Sequence, residues 1–279
     1  MMACFVPFNN RNLEICFLVF RPTIVLVDDL LESLKDFCLF TESIGCLHSA
    51  VFTSIHGNMV RILLFHFHFS RINGIICAIG ILCVQMIWYG TWMKRSNEDK
   101  ELLTSAFNSM LTNVLTMAIL IDQSFYEASA GESRQGSSHV AKFSNGDIIS
   151  MSSTTLFSNN DTKNEHDFSY ACLAIFRTRF LKMEGATAAV CLKSQSNNNN
   201  RPRVIGLFIW KSLQYCYSYI LNTDYRKTDL PYLEGLSIDV KYDIFRVVFV
   251  SENNNALKNL YFHPYSTQGQ LQYKTENTV

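Results

Sequence analysis

Ala50-Val51-Phe52-Thr53-Ser54-Ile55-His56-Gly57-Asn58-Met59 and Met86-Ile87-Trp88-Tyr89-Gly90-Thr91-Trp92 read as the two arms of one β-hairpin. β-Branched and aromatic residues dominate both arms, and such side chains suit a pleated, half-buried surface. Gly57-Asn58 supplies the turn chemistry, because a tight hairpin turn needs residues that tolerate positive φ. Joined directly, the arms make a compact unit. They are instead separated by residues 60–85, of which 16 of 26 are Phe, Leu, Ile, Val or Cys, with no Asp, Glu, Lys, Pro or Thr.

That bias has a coding explanation. An intron begins with GT, which in frame reads as Val, and ends in AG, commonly CAG, which reads as Gln. The insert opens at Val60 and closes at Gln85, and T-rich sequence translates mainly to the residues seen. Residues 60–85 are therefore read as an intron translated in frame and are set aside from the fold. The rival reading is a membrane anchor over 72–93. That stretch is uncharged and long enough to span, with Trp88, Tyr89 and Trp92 beside Lys94-Arg95. His66 and His68 share one face of a strand-like run, but no third metal ligand accompanies them.

Outward from the hairpin, hydrophobic periods alternate. Leu13 to Phe20 is expected as a strand ended by Pro22. Val25 to Ser43 is expected as a helix stopped at Gly45, with Leu26, Leu30, Leu34, Phe37 and Cys38 at helical spacing. Ser96 or Asn97 caps a long helix whose stripe runs from Leu103 to Leu120-Ile121, with Glu98, Asp99 and Glu101 in its first turn. Residues 131–166 are polar and small, apart from a short strand near Asp147 to Met151. Phe168 to Met183 (helix), Thr187 to Lys193 (strand), Val204 to Trp210 (strand), Ser212 to Leu221 (helix) and Asp243 to Val250 (strand) follow. Leu230 to Leu236 extends the helical packing.

The halves look duplicated. In each, a helix ends at glycine (Gly45, Gly185), a strand starts at once, and a return strand ends in Trp (Trp92, Trp210). The expected fold is α+β: two ferredoxin-like βαββαβ modules with antiparallel sheets, interrupted by the apolar insert. The first module covers 1–152 and contains the insert, the second covers 153–252, and 253–279 is a flexible tail.

Composition narrows the function. Apolar residues are 48% and charged residues 17%, an ordinary globular mix. Lys plus Arg equals Asp plus Glu at 24 each, so no net field attracts nucleic acid or acidic lipid. The nine cysteines are scattered without CxxC, and Met1 to Phe8 lacks a secretory pattern. A cytoplasmic, reduced protein without a disulfide framework is expected.

No GxSxG, GxGxxG, P-loop or HExxH motif is present. Cys46 and His48 fall two apart on one strand, a poor geometry for a thiolate–base dyad. Tyr215, Tyr217 and Tyr219 could stack bases, but neutral charge favours ordinary packing. The most polar segment carries Gly131, Glu132, Ser133, Arg134 and His139, followed by Lys142, on what reads as a flexible loop.

Ile55-His56-Gly57-Asn58-Met59, Ile87-Trp88-Tyr89-Gly90, Ala130-Gly131-Glu132-Ser133-Arg134 and Lys241-Tyr242-Asp243-Ile244-Phe245-Arg246-Val247-Val248 resemble a family of uncharacterised plant proteins, over Met2 to about Val250. In that family HGNM runs almost directly into WYG; the departure here is the insert. The resemblance implies no activity and no site residue.

The leading expectation is a non-catalytic soluble protein that binds an unknown protein partner through sheet edges or the polar loop, with no cofactor. The alternatives are an unrecognised enzyme using the 131–142 loop and a membrane-tethered adaptor held by 72–93. The spliced message is expected to lack the codons for 60–85; abundant mature transcript retaining them overturns the intron reading.

Overall fold

Leu30, Leu34, Phe37, Cys38 and Thr41 form the buried stripe of α1 (Val27–Ser43), whose end is set by Gly45 at φ +98°. Only glycine adopts that backbone without a Cβ penalty. The computed structural model describes residues 3–8, 10, 12–56, 84–134, 140–156, 162–194, 203–221 and 237–251. The strands are β1 (Ala3–Pro7), β2 (Leu13–Pro22), β3 (His48–Ser54), β4 (Met86–Met93), β5 (Ala118–Ser133), β6 (Val140–Ser144), β7 (Ile148–Leu156), β8 (Ala186–Ser194), β9 (Arg203–Trp210) and β10 (Ser237–Val250). The remaining helices are α2 (Asn97–Met110), α3 (Thr112–Met117), α4 (Thr162–Thr178) and α5 (Leu213–Ile220). Ser96 caps α2 by accepting the Asp99 N–H at 3.1 Å.

The interrupted hairpin is intact. β3 and β4 pair antiparallel with Val51 opposite Trp88, and the Ser54 N–H donates to the Gln85 carbonyl at 2.8 Å. Most of the insert, with His66 and His68, lies outside the described residues. Met86–Met93, the end of the 72–93 segment, is a strand paired on both sides rather than part of a span. Among the described residues, no helix is long and apolar enough to cross a membrane.

The expectation of two modules with separate sheets is corrected. β10-β3-β4-β2-β5-β8-β9-β7 form one closed, antiparallel eight-stranded barrel. Each half runs β-α-β-β-α-β, but its fourth strand pairs with the second strand of the other half, β5 with β8 and β10 with β3. The cause is the length of β5 (16 residues) and β10 (14 residues), which leaves each with a ladder to spare. Closure removes the unpaired edges that two open sheets would expose.

The two seams match in register. Tyr126 faces Ser194 and Phe245 faces Ser54; the next shifts fall between Ala128 and Ala130 and between Val247 and Phe249. A second correction concerns Leu120-Ile121. The helical stripe ends at Met117, and β5 starts at Ala118 with the β-branched Ile119 and Ile121 among its first residues. Among the described residues of 131–166, the polar stretch read as loop is mostly strand, in β5, β6 and β7, and its end opens α4. Residues 230–236 and 253–279 lie outside the described residues.

The helices cover the barrel's outer face in two groups. Trp88 and Trp92 pack with Phe37 and Phe107 in the first half. Phe180 stands edge-on to Trp210 at 4.7 Å in the second. Under α2, Lys100 Nζ lies 2.6 Å from the carboxylate of Glu14, which is 1% exposed.

The barrel's two ends differ. At the end where β3 and β7 begin, β1 and β6 pair as a ribbon that fills the interior with Cys4, Val6, Phe8, Ala141 and Phe143. Phe143 stands edge-on to inward-facing Phe52 and Tyr89 at 5.5 and 5.6 Å. Phe8 lies against Gly131, where an added Cβ would sit 2.1 Å from its ring. His48 is fully buried beneath Phe5, their rings 5.7 Å apart, and neither of its nitrogens has a hydrogen-bond partner. Burial holds its pKa down at about 4.

Two outcomes follow from the plugged end. Gly131→Ala must displace Phe8 and is expected to destabilise by about 1–3 kcal/mol in denaturant unfolding, with the loss reduced in Gly131→Ala/Phe8→Ala. His48 binds its proton more weakly folded than unfolded. Its contribution is therefore complete above about pH 6.5 and lost as pH falls through about 4. Up to about 3 kcal/mol of stability depends on it. His48→Phe is expected to flatten the stability profile across that window; an unchanged slope refutes the assignment.

Candidate functional site

The opposite end of the barrel, where β5, β9 and β10 begin, is polar. Tyr126 belongs to the interior cluster, so Ser124 and Asp122, two and four residues earlier on β5, also face inward. Arg203, at the start of β9, shares the inward parity of Ile205, Leu207 and Ile209. Its Nη2 donates to both Asp122 oxygens at 3.0 Å and also to Ser124 Oγ. Ser124 Oγ in turn donates to the Asp122 carboxylate at 3.1 Å.

β5 and β9 are not neighbours; β8 lies between them. Strands two apart are about 10 Å from each other, so only a long side chain crossing the interior makes this contact. The Arg203 backbone N–H donates to Ser194 Oγ on β8 at 2.9 Å, which fixes where the side chain starts.

The pair is partly open to solvent, its side chains 34% and 30% exposed. Burial pushes the Arg203 guanidinium down. The Asp122 hydrogen bond and the charges of Tyr126 and Asp122 outweigh it and leave the group above its ordinary value. Burial, opposed by the Arg203 charge, pushes the Tyr126 hydroxyl up to about 12, so it stays a protonated donor. Below it the floor is aromatic: Phe17 stands edge-on to Tyr126 at 5.6 Å. Beside it the rim is apolar and open, with Ile119 65% and Ile121 42% exposed.

Across the barrel, on β10, lies Asp243. Ser54 Oγ donates to its two oxygens at 3.2 and 3.1 Å, and the Ile244 N–H donates to Oδ1 at 2.7 Å. Burial raises its pKa, opposed by those hydrogen bonds and by His56. His56 is hydrogen-bonded through Nε2 to the Tyr217 hydroxyl of α5.

The segment singled out from sequence lies toward the plugged end. Gly131, Glu132 and Ser133 finish β5, Arg134 follows, Lys142 is on β6, and His139 lies outside the described residues. Glu132 pairs with Arg177 of α4. The Arg134 N–H donates to the Thr187 carbonyl at 2.9 Å, and its Nη1 to those of Met183 and Ala186 at 3.3 and 3.4 Å. Lys142 sits over the Phe5 ring. These groups tie α4, β8 and the ribbon to the barrel.

Cys46 and His48 are close in space but not as a dyad: the thiol donates to the His48 carbonyl at 3.0 Å, not to the ring. Burial raises the Cys46 thiol, as it does Cys4 and Cys16, which removes thiolate character. Tyr219 packs on Trp210 and Tyr215 donates to Glu184, so the tyrosines of α5 are not a stacking platform. Among the described residues no group of three His, Cys, Asp or Glu could hold a metal ion. Sequence reading missed Asp122, Ser124, Arg203 and Asp243. The sequence around the first two, Asp122-Gln123-Ser124-Phe125-Tyr126-Glu127, has no clean alternation of polar and apolar residues and offered little signal.

The fold is shared with solved structures. An anthrone oxidase-like protein matches with TM-score 0.62 and 12% identity, over 90% of this chain and 97% of that one. A candidate monooxygenase from Fusobacterium nucleatum matches with TM-score 0.55 and 9% identity, over 86% of this chain and 94% of that one. The expectation of a non-catalytic scaffold docking through sheet edges is corrected on two grounds. Among the described residues the barrel leaves no edge strand free, and two solved structures that share its architecture are named as an anthrone oxidase-like protein and a candidate monooxygenase. No curated protein is significantly similar in sequence. A family model for a domain of unknown function, DUF7392, matches residues 124–245, from Ser124 on β5 to Phe245 on β10, a span that holds Tyr126, Arg203 and Asp243.

Proposed function

We propose that this chain is an enzyme that oxidises a small, largely apolar molecule bearing a hydroxyl, held at the polar mouth of the barrel, with dioxygen as electron acceptor. The observation that carries the reading is the Arg203–Asp122–Ser124–Tyr126 cluster, set on an aromatic floor beside the exposed Ile119 and Ile121. Sites for small molecules combine apolar walls with a few converging polar groups, and this mouth has that composition.

The charge state selects the ligand. Asp122 neutralises Arg203, so a carboxylate ligand would meet a repelling carboxylate as well as the guanidinium. An uncharged hydroxyl can donate to Asp122 and accept from Tyr126 or Arg203 without a net charge to bury. The aromatic floor and isoleucine rim favour a planar apolar body. The oxidative class is supported by the names of the two structures sharing the fold. Thiol chemistry is disfavoured because the seven described cysteines are buried.

The test is dioxygen uptake by the purified full chain with a panel of naphthols and hydroxyanthracenes. Arg203→Met is expected to lower kcat/KM by roughly tenfold to a hundredfold through loss of a charged hydrogen bond. Its fold should persist, since a pair this exposed contributes about 1 kcal/mol or less. Absence of uptake with every compound, or an unaffected Arg203→Met, refutes the reading.

A further inference from the structure

The two halves place equivalent positions at the mouth, and their side chains are not equivalent. Register across the seams matches Tyr126 with Phe245 and Ser194 with Ser54. Two residues before the first pair stand Ser124 on β5 and Asp243 on β10. The second half therefore puts a carboxylate where the first puts a hydroxyl. Among the described residues, Asp122 is paired with an arginine and this carboxylate is not.

We infer that Asp243 is the proton acceptor of the mouth, taking the proton of a bound hydroxyl, with His56 as the positioning residue that sets the charge beside it. The inference rests on the reading that the mouth holds a hydroxylic ligand. In the step, the ligand O–H bond breaks and its electron pair stays on the ligand oxygen. A new O–H bond forms on the carboxylate, and the proton later leaves to solvent.

Three observations carry it. The inward parity of Phe245 and Val247 on β10 extends to Asp243, which places the carboxylate at the mouth. Ser54 and the Ile244 N–H hold it in place and leave acceptor capacity, since a carboxylate has about four acceptor positions. His56 lies two residues past the β3 end: the Ile55 N–H donates to the Ile244 carbonyl at 2.9 Å, and the Tyr217 hydroxyl holds the imidazole.

Among the described residues, the groups packed around Asp243 carry little charge. β3 offers His56 and Ser54, α5 offers Tyr217 through His56, and β7 places uncharged Met151 opposite. Lys241 is exposed two residues earlier on the same strand, and Arg203, which starts on β9 two strands away, is held by Asp122 on β5. Burial strengthens the carboxylate as a base, and His56 moderates that effect.

The probes are 2-naphthol and 2-methoxynaphthalene, which share a ring system and differ in whether a proton can be given. Fluorescence titration of the full chain is expected to show roughly tenfold or greater preference for the naphthol. In Asp243→Asn the preference should fall toward unity while the ether binds as before, which also shows that the variant is folded. Naphthol affinity should drop as acid protonates the carboxyl. In His56→Gln that midpoint should move to higher pH, because the moderating charge is gone; this readout needs no Asp243 variant. A wild-type preference near unity, an equal preference in Asp243→Asn, or an unmoved midpoint in His56→Gln overturns the assignment. Preference without dioxygen uptake leaves Asp243 standing and removes the oxidase reading; uptake without preference does the reverse.

Discussion

Each half of this chain ends in a strand longer than its own sheet can pair. β5 and β10 therefore carry hydrogen-bonding groups that an isolated half would leave open, and each finds its partner on the other half. Everything else depends on that exchange. It turns two curved sheets into one ring, defines an inside, and sends the outward faces to the helices. Backbone donors and acceptors must be paired once buried, so the exchange is obligatory rather than ornamental.

Closure also creates a packing problem. Eight strands enclose a space that side chains must fill. From one end the β1–β6 ribbon fills it, bringing Phe8 and Phe143 onto Gly131, Phe52 and Tyr89. At the other end inward positions turn polar, and the pairing of Arg203 with Asp122 lets charge sit close to an apolar interior. One end is stoppered by the ribbon; at the other, charged and hydroxyl groups are held in place while remaining partly exposed.

Much of this was legible in the residues. Glycine stops, the capped start of α2 and the paired arms either side of the insert follow from local rules that neighbours cannot easily override. Ring closure was not legible, because nothing local states which edge strand meets which. The onset of β5 was obscured because Leu120 and Ile121 continue the preceding helical stripe, and only tertiary pairing with β2 decides against helix. The mouth was missed for a related reason: Asp122 and Arg203 are far apart in sequence and meet only across the ring, and Asp243 reaches the same end on a third strand. Glu132 and Arg134 drew notice as a polar run, yet polarity alone does not distinguish a binding group from one that fastens a helix to a sheet.

The matched shifts on the two seams, at Ala128/Ala130 and Val247/Phe249, have a consequence for how such a molecule can diversify. A ring assembled from two identical separate chains would have to repeat every substitution twice and would come apart on dilution by mass action. Covalent linkage lifts both restrictions. His48 can stand where Ala188 does in the other copy, and Asp243 where Ser124 does, while assembly stays independent of concentration. With both halves on one chain, equivalent positions can differ while the shared ring is kept.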